Sequence, residues 1–287
     1  MKYLYYPGCS LEGTAHEYDL ATRAFMAAVG AELTDLKDWT CCGASAAEPT
    51  SFLLSLALPA RNLAIAEDMD GGRDILAPCS ACYLNLKRVE EKIKKDTDLH
   101  AGINTILNEE NLRLKGRTRT RHLLDVISRD IGSNRLKLLV QKQFSGLIAA
   151  PYYGCQCLRP YTVFDDPEKP KTMEALLRAI GAGVHKWDMG ARCCGASHMS
   201  TEPDIALELT GSILKAARGA DVIVTVCPMC QMNLEAYQDK ISSLNNEGLH
   251  TTVLYLPQLI GLAFGLTEHG LGLDLNLAIT KAFRDRL

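Results

Sequence analysis

Residues 41–45 read Cys41-Cys42-Gly43-Ala44-Ser45, and residues 193–197 repeat them unchanged as Cys193-Cys194-Gly195-Ala196-Ser197. Outward from this block the chain goes on matching itself. Tyr5-Tyr6-Pro7-Gly8-Cys9 returns as Tyr152-Tyr153-Gly154-Cys155, and Ala28-Val29-Gly30-Ala31 returns as Ala179-Ile180-Gly181-Ala182. Cys79-Ser80-Ala81-Cys82, followed by Asn85-Leu86, returns as Cys227-Pro228-Met229-Cys230, followed by Asn233-Leu234. Four blocks in one order at nearly constant offset are an internal repeat. They predict two homologous halves, 1–144 and 145–287.

Local patterning around the blocks agrees. Lys2 to Tyr6, Asp74 to Ala77, Leu147 to Tyr153 and Val222 to Val226 read as strands that run into loops. Glu17 to Val29 has apolar residues at helical spacing and stops at Gly30; Lys171 to Ile180 does the same before Gly181. Ala81 to Lys94 and the stretch from Gln231 onward also read as helices, and Val253 to Leu266 as a buried helix. Strands alternating with helices predict an α/β fold with mainly parallel pairing. Cys9, Cys79, Cys155 and Cys227 each fall just past a predicted strand. In parallel sheets the loops beyond the strand C-termini share one edge, where ligands bind.

Composition narrows the function classes. The 287 residues carry 31 Lys+Arg against 34 Asp+Glu, so there is no basic excess that would argue for nucleic acid. Hydrophobic residues make up 47%, which is enough for a sizeable core. No secretory leader is read in Met1 to Cys9, and no apolar run is long enough for a transmembrane span. The cytoplasm is therefore the expected location, where clustered cysteines point to metal or redox chemistry rather than disulfides. Gly181-Ala182-Gly183 lacks the third glycine of a dinucleotide fingerprint, and no phosphate-loop pattern occurs, so neither flavin nor nucleotide is expected on this chain.

The chain has 11 cysteines, and ten of them form the repeat. Cys9 is followed by 31 residues, Cys41-Cys42, 36 residues, and Cys79-x-x-Cys82; Cys155 is followed by 37 residues, Cys193-Cys194, 32 residues, and Cys227-x-x-Cys230. Cys157 is left over. Buried apolar cysteines, a redox-active Cys79/Cys82 pair and structural zinc each account for part of this pattern. Iron–sulfur clusters account for it best, since they take several thiolates gathered from loops. Five thiols per half is one more than a 4Fe–4S cube needs, so the pattern suggests an atypical cluster.

With both blocks in view, the chain resembles the CCG-domain proteins. Over nearly its whole length it resembles the B-type subunit of heterodisulfide reductase. The resemblance rests on the opening through Pro7-Gly8-Cys9, both Cys-Cys-Gly blocks and Tyr153-Gly154-Cys155. It implies two homologous Rossmann-like α/β halves, tandem CCG domains, related by a pseudo-twofold axis. It further implies two noncubane 4Fe–4S clusters. Residue by residue, one is held by Cys9, Cys41, Cys42, Cys79 and Cys82, and the other by Cys155, Cys193, Cys194, Cys227 and Cys230. One departure is visible: the 32-residue gap before Cys227 is shorter than the family's usual spacing. This raises either a loop deletion or a changed second site, with zinc in that half.

The resemblance also implies an activity: reductive cleavage, or the reverse oxidative formation, of a disulfide between the two clusters, one electron per cluster. Cys41, Cys42, Cys193 and Cys194 would face the substrate cavity. Electrons would come from a ferredoxin-like iron–sulfur subunit and a flavin-containing subunit. A different class of reading is an electron-transfer or anchoring subunit of a succinate dehydrogenase or hydroxy-acid oxidase complex, and a sulfur-oxidising relative of heterodisulfide reductase is a further one. Among other residues, His198 is a candidate proton donor. His16 and Arg159 are candidates for contact with an anionic substrate group, while Tyr6 and Tyr153 are expected to pack beside the clusters. Lys87 to Lys95 reads as a solvated helix face, and Glu48-Pro49 and Glu202-Pro203 as a shared turn.

Overall fold

The computed structural model describes residues 1–44, 46–70 and 72–287; Ser45 of the first repeat block lies outside the described residues. Two separate four-stranded sheets are present, and every pairing is parallel. The first sheet contains β1 (Lys2–Tyr5), β2 (Glu32–Asp35), β3 (Ile75–Ala77) and β4 (Thr120–His122) in the order β2-β1-β3-β4. The second contains β5 (Ile148–Tyr152), β6 (Gly183–Val184), β7 (Val222–Thr225) and β8 (Thr252–Tyr255) in the order β6-β5-β7-β8. The topology is the same in both, as the repeat predicts. All residues of β3, β7 and β8 are buried, so helices cover both faces, as the apolar composition of these strands requires.

In each sheet the strand order reverses between the first and third strands, β1 and β3 or β5 and β7. Such a reversal opens a crevice at the strand C-termini. Cys9 and Cys79 flank the crevice of the first sheet, and Cys155 and Cys227 that of the second.

The expected helices are seen at His16–Ala28, Ser80–Ile93, Thr172–Ala179 and Pro228–Ala236. The first and third stop just before Gly30 and Gly181, whose φ values of 70° and 85° only glycine adopts without strain. One expectation is corrected. Val253 to Leu266 is not a single helix, because Thr252–Tyr255 is β8 and the helix is Leu256–Ala263. Pro257 in the first turn marks the switch, since it lacks the N–H that a continued ladder or helix interior would need. Four short strands, β2, β4, β6 and β8, carry no clear alternation and are found only in the structure.

The halves interlock by exchanging helices. Leu256–Ala263, which follows β8, packs on His16–Ala28 of the first half. Gly132–Leu139, which follows β4, packs on Thr172–Ala179 of the second. These contacts are counterparts under a pseudo-twofold relation. Tyr18 stacks on Tyr255 with ring centroids 4.0 Å apart, and Phe25 stacks on Phe264 at 5.9 Å. On the other side Phe164 stacks on His122 at 6.1 Å. All of these rings but Phe164 are buried.

Candidate functional site

Each half gathers its five cysteines at the crevice of its own sheet. In the first, Cys9 Sγ lies 3.7 Å from Cys41 Sγ, and hydrogen bonds link Cys41 to Cys42, Cys42 to Cys82 and Cys82 to Cys79. In the second, Cys194 Sγ lies 3.6 Å from Cys230 Sγ, while Cys155 pairs with Cys193 and Cys227 with Cys230. Two sulfurs on one tetrahedral metal with bonds of about 2.3 Å are about 3.8 Å apart, so these spacings suit shared ligation. A narrow cleft is lined by all five second-half cysteines together with Ser80 of the first half. Among the described residues, no three Cys, His, Asp or Glu side chains close around a single-ion position. The sulfurs form chains rather than one tight ring.

Local sequence explains how the thiols come this close. Cys79 and Cys227 are the N-cap residues of Ser80–Ile93 and Pro228–Ala236, so Cys82 and Cys230 sit one turn in, near the positive end of each helix. Gly8 and Gly154, at φ 66° and 70°, make the approach possible. A Cβ on either would stand 2.8 or 2.9 Å from the sulfur of Cys82 or Cys230. The repeated asparagines hold the Cys-Cys turns: Asn85 Nδ2 donates to the Cys42 and Ala44 carbonyls at 3.2 and 3.0 Å, and Asn233 Nδ2 donates to the Cys194 carbonyl at 3.2 Å. Thr210 adds a hydroxyl bond of 2.9 Å to that same carbonyl.

The thiols titrate as groups. Hydrogen bonding from Cys41 pushes the Cys42 thiol well down while Cys41 is pushed up, and hydrogen bonding from Cys155 lowers Cys193 while Cys155 rises. Packed, half-buried thiols can all ionise together only around a cation. The donor set and the glycine cradles therefore fit an iron–sulfur group. Cys9, Cys41 and Cys193 are exposed and most of the others are buried, so each group has one open side.

The two groups meet at the interface between the halves. Tyr18 Oη lies 3.3 Å from both the Pro78 and the Val226 carbonyls, the residues just before Cys79 and Cys227. Ser80 donates to the Val226 carbonyl at 3.2 Å and contacts His122 Nε2 at 3.1 Å. His122 Nδ1 accepts the Leu124 N–H, so Nε2 carries the proton and donates to Ser80. Burial lowers the His122 pKa to about 3, keeping it neutral. The sequence held no signal for Ser80 or His122, because Val226 is 146 residues from Ser80 and Ser80 is 42 residues from His122.

Other expected residues separate. His198 is exposed in a short turn at Ala196–His198, on the open side near Cys193. His16 is exposed at the start of its helix. Arg159 is not free for substrate: it pairs with Glu168 at 3.0 Å and donates to the Ala191 carbonyl at 2.8 Å, clamping two loops. Tyr6 and Tyr153 both border the cysteine groups, as expected, but the structural counterpart of Tyr6 is Tyr152. Tyr6 Oη donates to the Thr40 carbonyl just before Cys41, and Tyr152 Oη to the Arg192 carbonyl just before Cys193. Each also packs edge-on to a tryptophan, Trp39 or Trp187. Counting back three residues from Cys9 and from Cys155 would have found the pair. Tyr153 instead donates to Glu174. Cys157 is buried, its thiol 3.3 Å from the Tyr153 carbonyl. Lys87 is not on a solvated face: it is buried and ion-paired with Glu90 at 2.8 Å.

A parallel α/β repeat with a five-cysteine group at each crevice defines a class of cysteine-rich redox-type domains. Known proteins agree with it: the Cysteine-rich domain (CCG) family matches at residues 3–87 and again at 149–235, and the chain belongs to that family. It is 33% identical over 280 residues to the 8-methylmenaquinol:fumarate reductase membrane anchor subunit of Wolinella succinogenes, covering 96% of each chain. It is 29% identical to an Archaeoglobus profundus protein that is itself named as similar to the B-type subunit of heterodisulfide reductase, covering 92% of this chain and 91% of that one. To the B-type subunit of the ferredoxin/F(420)H(2)-dependent CoB-CoM heterodisulfide reductase of Methanosarcina acetivorans it is 28% identical, with 94% and 91% covered. A crystal structure of a hypothetical protein from Helicobacter pylori shares the fold, with a TM-score of 0.75 at 15% identity over 97% of this chain. The chain spans about half of that protein, 52% of its length.

Proposed function

We propose that this chain is the disulfide/thiol oxidoreductase subunit of a heterodisulfide reductase-type complex, with 1–144 and 145–287 as its two domains. Cys9, Cys41, Cys42, Cys79 and Cys82 hold one noncubane 4Fe–4S cluster, and Cys155, Cys193, Cys194, Cys227 and Cys230 hold the other. Bound there, the clusters would supply one electron each to a two-electron disulfide cleavage. The observation that carries this reading is that both cysteine groups converge on the interface, joined by Tyr18 and Ser80. The chain's own residues orient and insulate. Gly8 and Gly154 leave room for sulfur, Asn85 and Asn233 hold the Cys-Cys turns, and neutral His122 keeps its proton on Nε2 toward Ser80. His198, on the open side of Cys193, is the proton donor to a product thiolate. Electrons arrive from a ferredoxin-like subunit and a flavin subunit, and the complex works in the cytoplasm.

The Wolinella relative supports a second reading: an electron-transfer or anchoring subunit of a quinol-linked dehydrogenase or reductase complex. Among the described residues no helix is long and apolar enough to cross a membrane, so attachment in that case would run through a partner or a surface contact. Anaerobic measurement of iron, acid-labile sulfide and zinc per chain, followed by disulfide turnover with a chemical reductant, tests both. About eight irons and eight sulfides with thiol release is the expected result. The same metal content without thiol release would favour the second reading, and about four irons with one zinc would overturn two-cluster cleavage.

A further inference from the structure

A roomy cavity lies outside the cysteine groups. It has a volume of about 560 Å³, within the range of small-molecule sites. Two segments wall it: the stretch between Cys155 and the helix Thr172–Ala179, and the loop 185–192 between β6 and Cys193. Lys169 and Lys171 come from the first, Lys186 and Arg192 from the second, and Arg178 from the helix. Among the described residues, none of these five cations is in an ion pair. Elsewhere Arg23, Arg61, Arg121 and Arg284 all hold carboxylates.

Three carboxylates also face the cavity, and one of them is neutralised by a cation outside it. Glu168 is paired with Arg159, and Glu174 accepts the Tyr153 hydroxyl. Five cations therefore face two unpaired carboxylates, Glu174 and Asp188, which leaves a positive excess. Like charges around one hollow repel, and a multiply charged anion relieves that repulsion. The wall also has an apolar part: Trp187, pinned by a 3.2 Å bond from its indole N–H to the Pro151 carbonyl, and Tyr153. We infer that this cavity binds a small organic polyanion carrying two or more phosphate or carboxylate groups.

The cavity is also joined to the second cysteine group. Tyr153 lines both spaces. The backbone N–H groups of Tyr153 and Gly154 donate to the Gly190 carbonyl at 2.8 and 3.2 Å, so the loop is tied to the strand end that leads into Cys155. The same loop ends at Cys193. A ligand held by Lys186 and Arg192 thus bears on two of the five cysteines.

The binding claim stands apart from the nature of the metal group and is tested directly. Calorimetric titration of the full chain, purified anaerobically, uses pyrophosphate and citrate as separate probes at moderate salt. One-site saturation by either anion is expected, and the tighter of the two names the acid group. The exposed double variant Arg178→Glu/Lys186→Glu should weaken binding about a hundredfold or more, since each lost charge-assisted contact accounts for about tenfold. Iron content and circular dichroism of the variant should match the parent. No saturable binding of either probe, or binding that the double variant leaves unchanged, would overturn the proposal, whatever the outcome of the iron analysis.

Discussion

The two halves carry the same five-cysteine frame on the same sheet, yet their extra residues lie in different places. In the first half the long gap separates Cys42 from Cys79, because the helix Phe52–Asp70 has 19 residues where its counterpart Pro203–Ala216 has 14. The 32-residue gap before Cys227 is thus a shortened helix, and Cys227 and Cys230 keep the positions of Cys79 and Cys82. In the second half the long gap separates Cys155 from Cys193, and its added residues fall mainly in the segment before Thr172–Ala179, which forms one wall of the 560 Å³ cavity. The first half instead seals its tyrosine with a side chain: Asn62 reaches the Thr40 backbone at 2.8 Å and the Tyr6 hydroxyl at 3.4 Å. The groups that touch sulfur are held constant, and the elements between them are free to diverge.

The largest expected effect tests that constancy. Gly8→Ala and Gly154→Ala each drive a Cβ onto a cysteine sulfur at positive φ. Each variant should lose the cluster of its own half, dropping iron from about eight to about four per chain by anaerobic analysis. Cys42→Ala and Cys194→Ala should do the same. Unchanged iron in both cysteine variants would remove the five-cysteine assignment, and a loss confined to one half would show that the halves are not equivalent.

Next comes one position that the halves fill with opposite charge. Lys87 and Glu235 occupy equivalent places after the two Cys-x-x-Cys turns. Lys87→Met leaves Glu90 buried without its partner and should cost about 3–5 kcal/mol in denaturant unfolding. Glu235 lacks a cation, and burial raises its pKa to about 7. The folded state therefore binds this proton more tightly than the unfolded state. The stability it contributes is full below the unfolded value of about 4.5 and is lost as pH rises through 7. Glu235→Gln should then stabilise the protein by about 2–3 kcal/mol at pH 8 and by almost nothing at pH 4. A gain that is flat with pH would mean that Glu235 is not protonated in the fold.

The smallest effect sharpens the symmetry of Tyr6 and Tyr152. Tyr6→Phe and Tyr152→Phe each remove one hydroxyl from one carbonyl and should each cost about 1 kcal/mol. Tyr153→Phe should behave differently, because it frees Glu174 and the Met173 N–H instead. Equal behaviour of Tyr6 and Tyr153 would restore the pairing that plain sequence matching suggests.

What the sequence determined by itself is local and repeated. The twofold pattern, the ten cysteines, the strand ends before Cys9, Cys79, Cys155 and Cys227, and the helix stops at Gly30 and Gly181 all stand in the structure. Each depends on neighbours within a few residues: a period, a turn residue, a missing side chain. The short strands β2, β4, β6 and β8 escaped because two to four residues hold no usable period. Tertiary structure alone decided the exchange of helices, the Tyr18–Tyr255 stack, the buried Lys87–Glu90 pair and the meeting of the cysteine groups at Tyr18 and Ser80. It also decided that the segment after Cys155 and the loop 185–192 close on one another to form a cationic cavity. Those features depend on which surfaces pack together, and packing joins residues such as Tyr18 and Val226 that have no local pattern in common.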